Sequence, residues 1–387
     1  MRNPFAFGSP VSGLQFGDRI EETRFLVRRI GTGQNVVVTS PRRYGKTSLL
    51  LHAADEAQRI EHARVGVASL LRCSSRRDVA EEVTRAVVDG ALGWLVGTAE
   101  QISDRLRRLP RVTPSLERDG WRLSLAVGAA DETFLADIRR PVELLADSAR
   151  DGVPVGLVLD EFQQVAEIDP QLGGFFKTLC DDLPGVSLVF AGSHQHMMER
   201  LFVGTGAALK NAAEPLSLTV IPESESVAFL QERMVAAGRS IDGRAAGLLY
   251  RLAHGIPHFV QLIAAAAYDR DVDAATEETV REAMVDVLSR QRADLASRYE
   301  LLSPNHRRLV AGLAERPVRD PLSRASLVRF GLSAASAARA RDALREREVI
   351  EFDADVGWRI ADPIFEGWLR YGLPLDLGAR IDASAIG

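Results

Sequence analysis

The chain has 387 residues, of which 46 % are apolar and 26 % charged, and a formal net charge of −5. The length admits two or three domains, the composition is that of an ordinary globular protein, and the charge offers no global surface for nucleic acid or membrane. Its two cysteines, Cys73 and Cys180, stand far apart without a CxxC partner, which excludes zinc clusters and disulfide frameworks and suits a reducing compartment.

The opening residues Met1 to Val11 carry no long apolar run, so no secretory leader is expected. No stretch of 18 uncharged apolar residues occurs, so no membrane partner is expected and the cytoplasm is the default location. Lysine is scarce. Of 48 basic residues only Lys46, Lys177 and Lys210 are lysine, so each invites a chemical reason.

After an extended lead from Asn3 to Gly17, the spacing of apolar residues predicts a helix over Arg19 to Ile30. Asn35 to Thr39 reads as a short buried strand, followed by a polar loop and a helix over Thr47 to Ile60. A second strand is expected at Val65 to Leu71 and an amphipathic helix at Arg76 to Val96. The stretch from Gly97 to Gly128 is less regular; with Trp121 to Val127 alternating like an exposed strand, it reads as an insertion. A helix from Glu132 to Arg150 leads to Val155–Leu159, an apolar run suited to a central parallel strand, and Val186–Ala191 is another. Strands separated by helices predict an α/β domain with a doubly wound parallel sheet.

From Pro222 onward the pattern is helical, over Ser224–Ala237, Asp242–Ala253, Pro257–Asp269 and Glu277–Tyr299. Three short helices follow at Asn305–Glu315, Arg324–Phe330 and Ala334–Glu346. Two strands then flank Asp353 to Gly357, a natural hairpin turn. Three helices and a hairpin are the plan of a winged helix-turn-helix.

The loop Ser40-Pro41-Arg42-Arg43-Tyr44-Gly45-Lys46-Thr47 matches the phosphate-binding pattern GxxxxGK[ST], with serine in place of the first glycine. Backbone amides and a helix N-terminus would cradle phosphate oxygens. Gly45 would allow close backbone approach, Lys46 would reach the β- and γ-phosphates, and Thr47 would ligate Mg2+. Downstream, Val155 to Leu159 ends in Asp160 and Glu161. Asp160 is the expected metal partner and Glu161 the expected base for an attacking water. Ser193, ending the next strand, is the first candidate for sensing the γ-phosphate, with His194 the second.

These residues resemble the STAND branch of the AAA+-related P-loop ATPases, in particular the archaeal-type ATPases. The resemblance is carried by Asn3-Pro4-Phe5, by Phe16 to Glu22 and by the double-arginine loop Pro41 to Ser48. Leu159 to Gln163, Gly192-Ser193-His194, Gly255-Ile256-Pro257 and Asp362-Pro363-Ile364-Phe365 extend it toward the C-terminus. It implies a P-loop NTPase core over 31–221 with an insertion near 97–130, preceded by a lead and adenine-side helix over 1–30. A helical lid over 222–300, a winged helix over 301–372 and a tail over 373–387 would follow. It also implies that Arg19 lies near the adenine, that Pro257 lies against base or ribose, and that ATP or ADP with Mg2+ is the cofactor. The implied function is a slowly hydrolysing ATPase that couples nucleotide state to self-assembly or to binding a protein partner.

Two other readings remain open: a DNA-binding initiator of the origin-recognition type, and a nucleotide-binding scaffold without turnover. Residues 303–372 hold 12 basic and 10 acidic side chains, a balance of only +2 and a weak footprint for DNA. Arg339 and Arg345, on the third helix of that module, are the candidate DNA contacts.

Overall fold

The computed structural model describes residues 3–8, 19–92, 112–117, 120–125, 134–372 and 381–387. They form two compact units, one of residues 12–219 and one joining residues 1–11 to 220–387. The expected lead segment 1–30 is therefore divided. Asn3 donates to the Ala265 carbonyl (3.0 Å) and Asp269 (2.8 Å) in the second unit, whereas the helix from Ile20 belongs to the first.

In the first unit, short β-branched strands alternate with helices: α1 (Ile20–Gly31), β1 (Val36–Thr39), α2 (Lys46–Glu61), β2 (Arg64–Ser69) and α3 (Arg76–Val87). A wider turn carries α3 on to Leu92, and its expected continuation to Val96 lies outside the described residues. Within the expected insertion, β3 (Val112–Glu117) and β4 (Gly120–Leu125) pair antiparallel in a sheet of their own. The chain resumes with α4 (Phe134–Arg150), β5 (Val155–Asp160), α5 (Gln164–Ile168), α6 (Gln171–Asp182), β6 (Val186–Gly192), α7 (Gln195–Phe202) and β7 (Glu214–Ser217).

Five strands make one sheet in the order β2-β5-β6-β1-β7, and every pairing in it is parallel. Successive side chains on a strand point to opposite faces, and the core divides accordingly. Val155, Leu157 and Leu159 pack with Leu188 and Phe190 beneath α3, α4 and α6. Val158, Val189 and Ala191 pack on the other face with Leu26 and Ile30 of α1 and with Leu49, Leu50 and Ala53 of α2. Helices on both faces give the doubly wound arrangement.

β7 was not foreseen as a strand. Its sequence Glu-Pro-Leu-Ser is short, polar and mostly exposed, because it lies at the sheet edge and needs only one partner, β1. Proline is tolerated at such an edge.

In the second unit, α8 (Glu223–Ala236), α9 (Gly243–Leu252), α10 (Pro257–Tyr268) and α11 (Glu277–Glu300) follow the expected helical pattern. Two-residue strands β8 (Ser240–Ile241) and β9 (Ala274–Ala275) pair between them. Next come α12 (Pro304–Glu315), α13 (Arg324–Phe330) and α14 (Ala334–Glu346), each capped by a serine hydroxyl. An antiparallel hairpin of β10 (Ile350–Asp353) and β11 (Gly357–Ile360) follows, and Val318 adds a bridge to Trp358. Asp362 caps α15 (Pro363–Gly367). The last described residues are pinned by Arg281, which donates to the Ile386 carbonyl at 2.8 Å.

No helix among the described residues is long and apolar enough to cross a membrane.

Candidate functional site

The loop between β1 and α2 carries its unusual backbone at two positions. Arg43 has φ 72° and Gly45 has φ 84°, whereas Ser40 has no positive φ. The first place in the motif therefore makes no demand for glycine here, which explains how serine stands there. Ser40 is fully buried, and its amide donates to the Gly192 carbonyl at 3.4 Å. Gly45 is the N-cap of α2 without a side-chain cap, and the first turn of α2 holds no acidic residue. Its leading amides and the positive end of its dipole suit an anion.

The sheet order sets what meets this loop. β6 lies between β1 and β5, so its end stands between the loop and the acids. Asp160 is the last residue of β5, and Lys46 forms an ion pair with it. Thr47 donates its hydroxyl to Asp160 Oδ2 at 2.7 Å. Lys46 Nζ also lies 3.0 Å from Glu161 Oε1, although its side chain is only 5 % exposed. Glu161 Oε2 accepts from Ser193 Oγ at 2.8 Å and from Gln163 Nε2 at 2.5 Å.

Glu161 has φ 56°, a strained conformation for a non-glycine residue. The residues on either side hold it there. Its own amide donates to Asp160 Oδ1 at 2.9 Å, and the Phe162 amide donates to the Ala191 carbonyl at 2.8 Å. The Phe162 ring is fully buried, 4.7 Å from Phe190 and 5.1 Å from Phe176 between centroids. Burying such a ring contributes roughly 2–3 kcal/mol, enough to offset backbone strain of about 1–3 kcal/mol.

Burial pushes the Glu161 carboxyl upward, but the Lys46 ammonium and the hydrogen bonds from Gln163, Lys46 and Ser193 outweigh it. The group ends below the ordinary glutamate value and is a carboxylate at neutral pH.

The other expected residues sit as follows. Arg42 and Arg43 are exposed, and Arg42 lies 2.6 Å from His194 Nε2. Pro41 is half-buried, while Tyr44 and Ser48 are buried. Arg19 is buried; it pairs with Glu22 at 2.8 Å and donates to the carbonyls of Tyr44 (3.0 Å) and Thr219 (2.7 Å), so it braces the loop's backbone. Pro257 is in the second unit, at the first position of α10 after His254 (φ 52°) and Gly255 (φ 68°). Arg339 and Arg345 are exposed on α14. Gln163 enters the sequence pattern only as the end of the acidic segment Leu159 to Gln163; with Gln164 equally polar beside it, no local signal marks it as a partner of Glu161.

No protein-family profile and no curated protein sequence matches the chain. Solved structures do. A Walker-type ATPase of Pyrococcus abyssi is 15 % identical, with 92 % of this chain and 96 % of that one aligned at TM-score 0.64. The ORC2 protein of Aeropyrum pernix, solved as ADPNP–ADP complexes, is 12 % identical, with 92 % and 95 % aligned at TM-score 0.54. The fold is that of a P-loop NTPase. The likeness to both extends over nearly the whole chain.

Proposed function

We propose that the chain binds ATP with Mg2+ at the β1–α2 loop and hydrolyses it slowly, as a STAND-type switch that couples nucleotide state to assembly or partner binding. The carrying observation is the convergence of Lys46 and Thr47 with Asp160, more than a hundred residues downstream, at one buried point. The residues suit magnesium. A hydroxyl and a carboxylate are hard oxygen donors, and among the described residues no group of three or more His, Cys, Asp or Glu could hold a metal by itself. Phosphate oxygens and water would complete such a coordination shell, as is usual for this ion. Bound there, the ion would neutralise charge on the β- and γ-phosphates.

The amides of the loop and the first turn of α2 hold the polyphosphate, and Lys46 exchanges its carboxylate partners for phosphate oxygens. That exchange frees Glu161 Oε1. A water held there attacks the γ-phosphorus, the bond to the β-phosphate oxygen breaks, and Glu161 takes the water's proton. ADP and inorganic phosphate leave. Pro41, Arg42, Arg43, Tyr44 and Ser48 shape the loop, and Arg19 is proposed for the adenine side. Ser193 acts through Glu161, to which it donates.

Phosphate release and fluorescent-nucleotide binding test this reading. Glu161→Gln should retain ATP while turnover falls by roughly 10²–10⁴-fold. Equal turnover of Glu161→Gln and wild type would reject Glu161 as base. Saturating nucleotide at 100 times its Kd should stabilise wild type by about 2.7 kcal/mol. A melting temperature indifferent to nucleotide would reject the whole reading.

A second reading, a DNA-binding initiator ATPase, is favoured by the full-length likeness to an ORC2 protein and by exposed Arg339 and Arg345 on the third helix of the C-terminal module. It places a winged helix over 301–372 on DNA. Duplex gel shifts across a salt series separate the two readings. On this one, Arg339→Ala and Arg345→Ala each weaken binding and flatten the salt slope by about one unit.

A further inference from the structure

Gln163 has a side chain that an ordinary core position would not select. It is 1 % exposed, and its Oε1 has no hydrogen-bond partner among the described residues. A buried acceptor without a partner costs stability that an apolar residue of the same shape would avoid. The amide cannot simply turn over to satisfy that oxygen. Nε2 donates to Glu161 Oε2 at 2.5 Å, and rotation would set the amide oxygen against a carboxylate oxygen. The chain also leaves space for this arrangement. A Cβ at position 192 would lie 2.6 Å from Gln163 Oε1 and 2.5 Å from Met198 Sδ, so Gly192 is required where Gln163 packs.

We propose that Gln163 is a positioning residue for Glu161: seated against Gly192, its amide holds Oε2 and so directs Oε1 toward Lys46 and the phosphate loop. The proposal rests on the reading of Glu161 as base. The two oxygens of Glu161 are then unequal. Oε2 is occupied by the Gln163 amide and the Ser193 hydroxyl, while Oε1 faces the ammonium. When Lys46 moves to phosphate, Oε1 alone is released to accept a proton, and the carboxylate does not rotate because two donors still hold its other end. Ser193, at the end of β6, shares this work. That gives a reason for a hydroxyl there that needs no direct contact with phosphate.

The test uses the full chain with Mg·ATP. Gln163→Met keeps the volume and removes the donor. Turnover should fall roughly tenfold, the effect of losing one charge-assisted hydrogen bond in the transition state, with KM unchanged. Because a donor to the charged form is lost, the acid limb of the kcat profile should move to higher pH. Stability in urea should stay the same or rise, whereas a merely structural glutamine would lower it on replacement. Gln163→Glu should recover rate relative to Gln163→Met as pH is lowered, because a protonated carboxyl can donate as the amide does.

If Gln163→Met turns over as wild type with an unmoved acid limb while Glu161→Gln is inactive, this proposal is overturned and the base assignment stands. If Glu161→Gln is itself unaffected, both fall. Should Gln163→Met fail to fold, the pH dependence of Gln163→Glu decides: a rate that follows protonation of the added carboxyl supports the proposal, and a profile matching wild type overturns it.

Discussion

Two charge clusters, one in each unit, are built differently. In the first unit one ammonium, Lys46, faces two carboxylates, Asp160 and Glu161. In the second, acids from the hairpin and α15 each meet an arginine. Arg359 pairs with Glu351 (2.8 Å) and Asp353 (3.2 Å), Arg298 with Asp362 (3.1 Å), and Arg370 with Glu366 (2.7 Å). His254, after α9, lies 3.3 Å from Glu366. Four acids and three arginines balance once Glu366 keeps a proton beside a neutral histidine. The second cluster closes on itself, whereas the first keeps excess negative charge in a nearly dry place. That excess is what a divalent cation would offset.

The largest expected effect breaks the first cluster. Lys46→Ala removes the cation and leaves two carboxylates without compensation. Losing one partner of a buried ion pair costs about 3–5 kcal/mol, so urea unfolding without nucleotide should show a loss of that size. The same variant should show no thermal shift with ATP. A loss under about 1 kcal/mol would mean that water already screens the site and that the contrast with the second cluster is false.

The next effect sharpens the comparison through pH. Burial pushes Glu366 up to about 7 from 4.5, with Arg370 and Arg359 opposing it. Burial, with Arg359 and Arg370 adding to it, pushes His254 down to about 4 from 6.5. A raised folded pKa gives stability that is full below the unfolded value and lost as pH rises through the folded one. Glu366 therefore loses stability from about pH 4.5 to 7, whereas His254, with a lowered value, gains it from about pH 4 to 6.5. In wild type the two slopes cancel over most of that range.

Single variants uncouple them. Glu366→Gln mimics the protonated acid, so its stability relative to wild type should rise by about 3 kcal/mol as pH goes from 4.5 to 7. Relative to wild type, His254→Asn should lose stability as pH rises from 4 to 6.5, by a similar amount. Urea midpoints across that range read both, and two flat differences would dismiss the proton-sharing pair.

The same contrast explains what could be read in the sequence. That Lys46, Thr47, Asp160 and Glu161 meet was legible because the phosphate-binding pattern sets residue types at set places: glycine and lysine at a strand-to-helix loop, acids at the end of an apolar strand. The helices were legible because one buried face imposes its period. His254 and Glu366 were not, since their meeting depends on how α9 and α15 pack and on no local pattern. Gln163 lay between these cases, visible as a residue but not as a partner of Glu161. β7 was missed because an edge strand needs neither a continuous apolar run nor alternation, and half of its backbone groups face away from the sheet.

The smallest expected effect concerns a lysine again. Lys177 is one of only three in the chain, so rarity alone would nominate it alongside Lys46. Its ammonium pairs with Asp181, one turn on along α6, at 2.5 Å. Asp181 is 60 % exposed and Lys177 one third exposed, so water screens the pair. An exposed pair at this spacing contributes about 0.3–0.5 kcal/mol, and salt reduces it further. Lys177→Ala should therefore shift the urea midpoint by no more than that amount, and should leave nucleotide binding unaltered. A loss above about 2 kcal/mol, well beyond what surface pairs supply, would show that scarcity of lysine marks structural need at both positions. The distinction drawn from burial and from the number of facing carboxylates would then fail.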